Sequence, residues 1–168
     1  GNPQGTSIFQ LNATSITVPV EAMMGAFPGH IFQLQEIKKD HKATSALFKR
    51  LRCKGFQAAA SPAIIKNVDL SAGVLTAARK EVSVQLPPGK DHDGITDDPR
   101  CVWNRLKLQG WSSAILMANV YCQCGGGIRD LNVNVLRSIS DVPDNGRRMV
   151  IAAGDWDITA DTHEASGI

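Results

Sequence analysis

Short apolar runs recur along the chain, each cut by glycine, proline or an acid, and stretches with helical spacing lie between them. The most continuous run is Met149-Val-Ile-Ala-Ala153, which stops at Gly154 and is followed by Asp155, Trp156 and Asp157. Its length and bounding predict a strand buried on both faces. Upstream, Ser7–Ala13 predicts a first strand with Ile8, Phe9 and Leu11 apolar and the amide Asn12 near its end. Pro19 suits the first turn of a short helix, Val20 to Ala26, which Pro28-Gly29 closes. A second strand lies within His30–Ile37, its core Ile31–Glu36, with Glu36 acidic at the far end. Asp40 then caps a predicted helix that carries Thr44, Leu47, Phe48 and Leu51 on one face, runs to Lys54 and stops at Gly55.

The second half predicts mostly strands. Phe56 to Ile65 opens a β-like region, and Ala72–Arg79 with Glu81–Leu86 predicts a hairpin. Cys101–Gln109 and Ala114–Cys122 follow as strands split by Gly110-Trp111-Ser112. Ile128, Leu131, Val135, Ile139 and Val142 have helical spacing, Asp144-Asn145-Gly146 turns the chain into the Met149 run, and Thr159–Ser166 predicts a short helical tail. Alternation of apolar strands with helical stretches predicts a layered α/β (α+β) domain, with helices covering one sheet.

Length and composition narrow this picture. The 168 residues suit one domain, 1–168, and 43% hydrophobic with 20% charged residues is ordinary for a globular protein. A net charge of +2 gives no global basic field, so a phosphate must be met by local groups. Cys53, Cys101, Cys122 and Cys124 form neither a disulfide framework nor a tetrahedral zinc pattern. Thiols of this kind predict an intracellular compartment. No apolar run approaches a membrane span, and no charged-then-apolar leader opens the sequence.

Candidate chemistry gathers at strand ends. Along a strand Asp155 and Asp157 leave one face, and strand ends that deliver acids into a cleft are common sites in α/β proteins. The same Gly and Asp residues also suit an Asx-type turn. Glu36 reads either as an exposed strand terminus or as an oxygen ligand for a hard cation, and the basic run Lys38, Lys39, His41 and Lys42 as a solvated helix start or a phosphate neighbour. Pro87–Pro99 reads as a surface loop; its Asp91, Asp93, Asp97 and Asp98 lack the spacing of a calcium loop. Gly125-Gly126-Gly127, between strand and helix, is a place that can cradle a phosphate, but it lacks both common phosphate-binding patterns and reads first as a flexible connection.

Taken in order, Asn12, Leu34-Gln-Glu36, Asn119-Val-Tyr121 and Gly154-Asp-Trp-Asp157 resemble the endonuclease/exonuclease/phosphatase superfamily, the DNase-I-like layered sandwich. Gly73-Val-Leu75 resembles the Gly-Val strand of that family. The resemblance runs from about Ile8 to Ile168 and implies the N-terminal half of the fold, truncated before a second half with a closing Asp-His pair. It departs at Asp157, where the family has asparagine, and at Cys122-Gln-Cys124; His163 follows Asp157 too closely to stand for the late histidine.

The resemblance implies a Mg²⁺-dependent phosphodiesterase or endonuclease acting on nucleic acid or another phosphodiester. Glu36 and Asn12 are the implied metal residues, and Asp155, Asp157 and Tyr121 the implied catalytic ones. Mg²⁺ is bound by few carboxylates and several waters, which suits so sparse a donor set. A chain without the late pair is expected to be inactive alone, and to associate through an exposed apolar sheet face. The alternatives are a non-catalytic remnant or binding module of the same fold, and an unrelated α/β protein whose acids are turn residues.

Overall fold

The structure, a computed structural model, describes residues 5–66, 69–85, 100–107, 112, 114–122, 132–135, 137 and 149–156. The expected loop at 87–99, the glycine run at 125–127, Cys124, Asp157, the tail helix and His163 lie outside them.

Among the described residues, ten strands and two full helices follow in the order β1 (Ile8–Asn12), α1 (Val18–Ala26), β2 (Ile31–Gln35), α2 (His41–Cys53), β3 (Phe56–Ser61), β4 (Ile64–Lys66), β5 (Asp69–Ser71), β6 (Val74–Arg79), β7 (Ser83–Gln85), β8 (Cys101–Lys107), β9 (Ile115–Tyr121) and β10 (Val150–Asp155). Residues 132–135 are helical. One sheet has the order β1-β2-β6-β3, the other β10-β9-β8-β7, and β4-β5 is a small separate pair. Each large sheet is mixed: β1 runs parallel to β2 and β10 parallel to β9, and the remaining pairs are antiparallel.

Strand periodicity explains the layers. Along β2, Phe32 and Leu34 face α1 and α2, joining Met24, Leu47, Phe48, Leu51, Phe56, Leu75 and Ala77 in one core. Ile31, on the other face of β2, joins Ala78, Val82, Val84, Leu106, Ile115 and Met117 in a core between the sheets. Ala59, Val74, Val102 and Tyr121 continue that interface. Ala118, Val120 and Cys122 face away from it, toward Val135 and the half-buried Trp103 and Trp156. The described order of layers is therefore helix, sheet, sheet, helical segment.

Asp40 caps α2 as expected, its carboxylate accepting from the Ala43 N–H at 2.7 Å, and Gly55 ends the helix at a φ of 83°. The predicted hairpin of Ala72–Arg79 with Glu81–Leu86 does not form. β6 is flanked by β2 and β3, and β7 pairs with β8 in the other sheet, because the turn at Lys80–Val82 carries the chain between sheets. The strand at Met149 forms where expected but is not buried on both faces. β10 is an edge strand among the described residues, with Met149 52% and Val150 44% exposed. The exposed apolar sheet face expected of a half-sandwich is likewise not found among the described residues. The sheets cover each other, and the large exposed apolar residues are Val18, Ile64, Ile65, Met149 and Val150.

Candidate active site

Four strands end at one place. β1 and β2 are parallel in one sheet and β9 and β10 in the other, and β1 packs on β10 as β2 packs on β9. Their carboxyl ends carry Asn12, Glu36 (one residue beyond β2), Tyr121 and Asp155. Two hydrogen bonds cross between the sheets here. The Asn12 amide donates to Asp155 Oδ2 at 2.8 Å, and the Tyr121 hydroxyl donates to Glu36 Oε1 at 2.7 Å. Asp155 and Tyr121 are register partners of the β9–β10 pair, so the two crossing bonds lie side by side.

Local backbone geometry aims each group. Gln10 Nε2 donates to the Gly154 carbonyl at 2.7 Å, tying β1 to β10 just before Asp155. Gly154 packs against the Val120 carbonyl so closely that a Cβ there would collide with it. Beyond β2 the chain turns sharply, and Glu36 and Lys38 take left-handed φ values of 52° and 47°. Such values are uncommon for residues with a Cβ and occur where surrounding contacts hold them. Those contacts are the Ile37 N–H to the Gly73 carbonyl at 3.0 Å, the Lys38 N–H to the Ala72 carbonyl at 3.3 Å, and the fully buried Ile37 side chain. Gly73 itself has a φ of +86°.

Tyr121 is buried, whereas the Glu36 side chain keeps 15% of its surface and Asn12 is exposed, so the cluster opens to solvent at the strand ends. Lys38 Nζ stands 3.9 Å from Glu36 Oε2, with its side chain 41% exposed, a weak and screened pair. Asn12 Oδ1 accepts from the Thr14 N–H at 3.2 Å, which leaves the amide N–H₂ pointed at Asp155. Asp157 lies outside the described residues.

No three His, Cys, Asp or Glu side chains gather among the described residues. An all-protein cage of the calcium or zinc kind therefore has no counterpart among them. What remains at this solvent-facing strand end is two carboxylates and an amide, a set that could take up only a cation that keeps most of its waters. Glu36, through the oxygen not bonded to Tyr121, with Asn12 and Asp155 beside it, would hold such an ion.

Sequence reading missed the amides that support the cluster. Gln33, Gln35 and Asn119 are completely buried between the sheets. Their polar type within apolar strands was the available signal, but alternation in Ile31-Phe-Gln-Leu-Gln35 reads as a solvated face until a second sheet covers it.

No protein-family model and no curated protein sequence matches the chain. The likeness is in three dimensions. An endonuclease/exonuclease/phosphatase family protein from Leptotrichia buccalis C-1013-b is similar with a TM-score of 0.62 and 13% identity, over 95% of this chain and 71% of that one. The catalytic domain of human Nocturnin gives 0.61 at 12% identity, over 94% and 66%. The AP endonuclease LMAP from Leishmania major gives 0.60 at 16% identity, over 88% of this chain and 54% of that one. The chain thus spans between about half and seven-tenths of the length of these neighbours. Mixed sheets stacked face to face, helices outside them and these neighbours agree: the chain carries the DNase-I-like fold of the endonuclease/exonuclease/phosphatase proteins.

Proposed function

We propose that this chain carries the metal-holding part of a site that cleaves phosphodiester bonds, nucleic-acid bonds first among them. The observation that supports it is the pair of crossing hydrogen bonds, Asn12 to Asp155 and Tyr121 to Glu36, at the carboxyl ends of four strands. A turn reading of the acids gives no reason for residues up to 143 positions apart to converge. The neighbours are named as an AP endonuclease and an endonuclease/exonuclease/phosphatase family protein, which directs the choice of substrate class toward nucleic acid.

In this reading Glu36 and Asn12 hold Mg²⁺. The bound ion supplies charge stabilisation to the phosphate and the leaving oxygen. Asp155, steadied by the Asn12 amide, orients the attacking water and accepts its proton. Tyr121, whose one hydroxyl proton is given to Glu36 Oε1, holds that carboxylate in place and would donate to a phosphate oxygen only by giving up that bond. No histidine stands at the cluster among the described residues, and none of the groups gathered there is left to protonate the leaving oxygen. Loss of one positioned acid–base group costs ~10²–10⁴-fold. The 168-residue chain alone is therefore proposed to bind the ion and to leave a phosphodiester uncut.

Calorimetric titration of Mg²⁺ or Mn²⁺ into the chain tests the metal half. Binding should weaken roughly tenfold or more in Glu36→Gln, as expected when a charged ligand is lost; binding unchanged in that variant would sink the reading. Nicking of supercoiled DNA in Mg²⁺, with wild type beside Glu36→Gln and Asp155→Asn, tests the rest. Cleavage that needs both residues would overturn the expected inactivity and make the chain a self-sufficient nuclease.

A further inference from the structure

The crossing bond from Tyr121 to Glu36 joins two separate sheets, and hydrophobic packing alone does not set its length, because apolar contacts are non-directional. The side chains that fill the interface beside it, Ala59, Ala72, Val74 and Val102, are small aliphatics whose contacts set no single bond length and can tolerate a small shift. A 2.7 Å hydrogen bond cannot: it weakens steeply once stretched beyond about 3.2 Å. Something directional must hold the sheets in register at this level.

Asn119 does so. It is fully buried and lies on the same face of β9 as Tyr121, two residues before it. Its Nδ2 donates to the Leu75 carbonyl at 2.8 Å and to the Leu34 carbonyl at 3.3 Å, and its Oδ1 accepts from Gln35 Nε2 at 2.6 Å. One side chain of the second sheet thus grips β2 and β6 of the first. Leu34 lies two residues before Glu36, as Asn119 lies two before Tyr121, so the grip sits one side-chain step below the bond between those two. Gln33 repeats the pattern one step further down, donating to the Ala118 carbonyl at the longer distance of 3.4 Å.

We propose that Asn119 is a positioning residue: its three buried hydrogen bonds set the height of Tyr121 against Glu36 across the two sheets. It touches no reacting atom and acts through Tyr121 and Glu36. The inference deepens the phosphodiester-cleaving reading, from which those two residues take their roles, but its test needs no turnover.

Tyr121 is the single tyrosine of the chain, so tyrosine labelled with ¹³C at Cζ gives one NMR signal that reports its hydroxyl bond. Glu36→Gln moves that signal and defines the response to a changed acceptor. Asn119→Leu, close in volume but without the three bonds, should move or split it while far-UV circular dichroism shows the fold retained. Leu47→Ala, in the helix-side core, should lower stability without moving it. Should Asn119→Leu fail to fold, Gln35→Met removes only the Oδ1 bond and should give a smaller displacement in the same sense. A signal unmoved in Asn119→Leu, or in Gln35→Met where that variant must serve, overturns the inference, as does a signal moved equally by Leu47→Ala. Adding Mg²⁺ to the wild type is a separate arm. A signal that ignores the ion counts against the metal reading, and the Asn119 variants still decide the positioning role.

Discussion

Gly73 and Gly154 hold the candidate site from behind, each for a different physical reason. Gly73 has a φ of +86°, and a Cβ there would lie 2.8 Å from Ile37 Cγ1 and 2.9 Å from the Ala63 nitrogen. Gly73→Ala should therefore cost about 1–3 kcal/mol, through left-handed strain and displacement of the Ile37 turn that presents Glu36. Gly154→Ala should cost at least as much, since its obstacle is the Val120 backbone and no rotamer relieves it. Gly25, inside α1 with nothing within 4 Å, is the contrast: Gly25→Ala should stabilise by roughly 0.5–1 kcal/mol. Urea denaturation of the three variants checks all of this, and equal effects at Gly25 and Gly73 would refute the distinction. At this scale the polar residues that interrupt apolar runs, Asn12, Glu36, Tyr121 and Asp155, were legible in the sequence. The left-handed backbone of Glu36 was not, because a glutamate carries no preference for it, and the burial of Gln35 and Asn119 was not, because it depends on the facing sheet.

The two helices are locked together by one buried acid. Glu21 of α1 is 4% exposed and receives Arg50 Nη2 of α2 at 2.7 Å and its Nε at 3.0 Å. The hydrogen bond from Arg50 is the main cause that holds the Glu21 carboxyl below its ordinary 4.5, against burial that raises it, with Arg50, Lys54 and Lys39 adding their charges. The folded value is the lower one, so the contribution is present above about pH 4.5 and is lost as pH falls through that lower folded value. Glu21→Gln should lower stability at pH 7 by on the order of 1–2 kcal/mol, a figure discounted because the Arg50 side chain is half exposed. The gap to wild type should close as the solution is acidified below pH 4.5, and a gap that is independent of pH would refute the assignment. Helix α2 was readable in the sequence because its cap, apolar face and glycine stop are all local signals. Strand partners were not: β7 is three residues long, and nothing within Ser83–Gln85 says that it pairs with β8 and not with β6. The Met149 run misled in burial for a related reason. Apolar composition marks a strand, but whether its outer edge is paired is decided elsewhere in the chain.

At the scale of the molecule, the two large sheets share one design, a parallel pair at one side followed by antiparallel neighbours, and the parallel pairs meet face to face. The layered α+β class followed from the sequence pattern, and the motif resemblance named the fold; that each sheet contributes two strand ends to the cluster emerges only from their stacking. The stacking also has a consequence in time. Asn12 meets Asp155 across 143 positions and Tyr121 meets Glu36 across 85, while β1, α1, β2, α2, β3 and β6 bury a core that reaches no further along the chain than Ala77. Contacts between distant positions pay their loop-closure cost late, so that early core should consolidate first and the strand-end cluster last. Asn12→Ala and Asp155→Ala should then speed unfolding and leave the refolding rate nearly unchanged, while Leu47→Ala slows refolding, as stopped-flow chevrons would show. During synthesis at a ribosome the consequence is plainer still: Asn12 and Glu36 are made with the first strands, yet neither can meet its partner, Asp155 or Tyr121, until β9 and β10 have emerged.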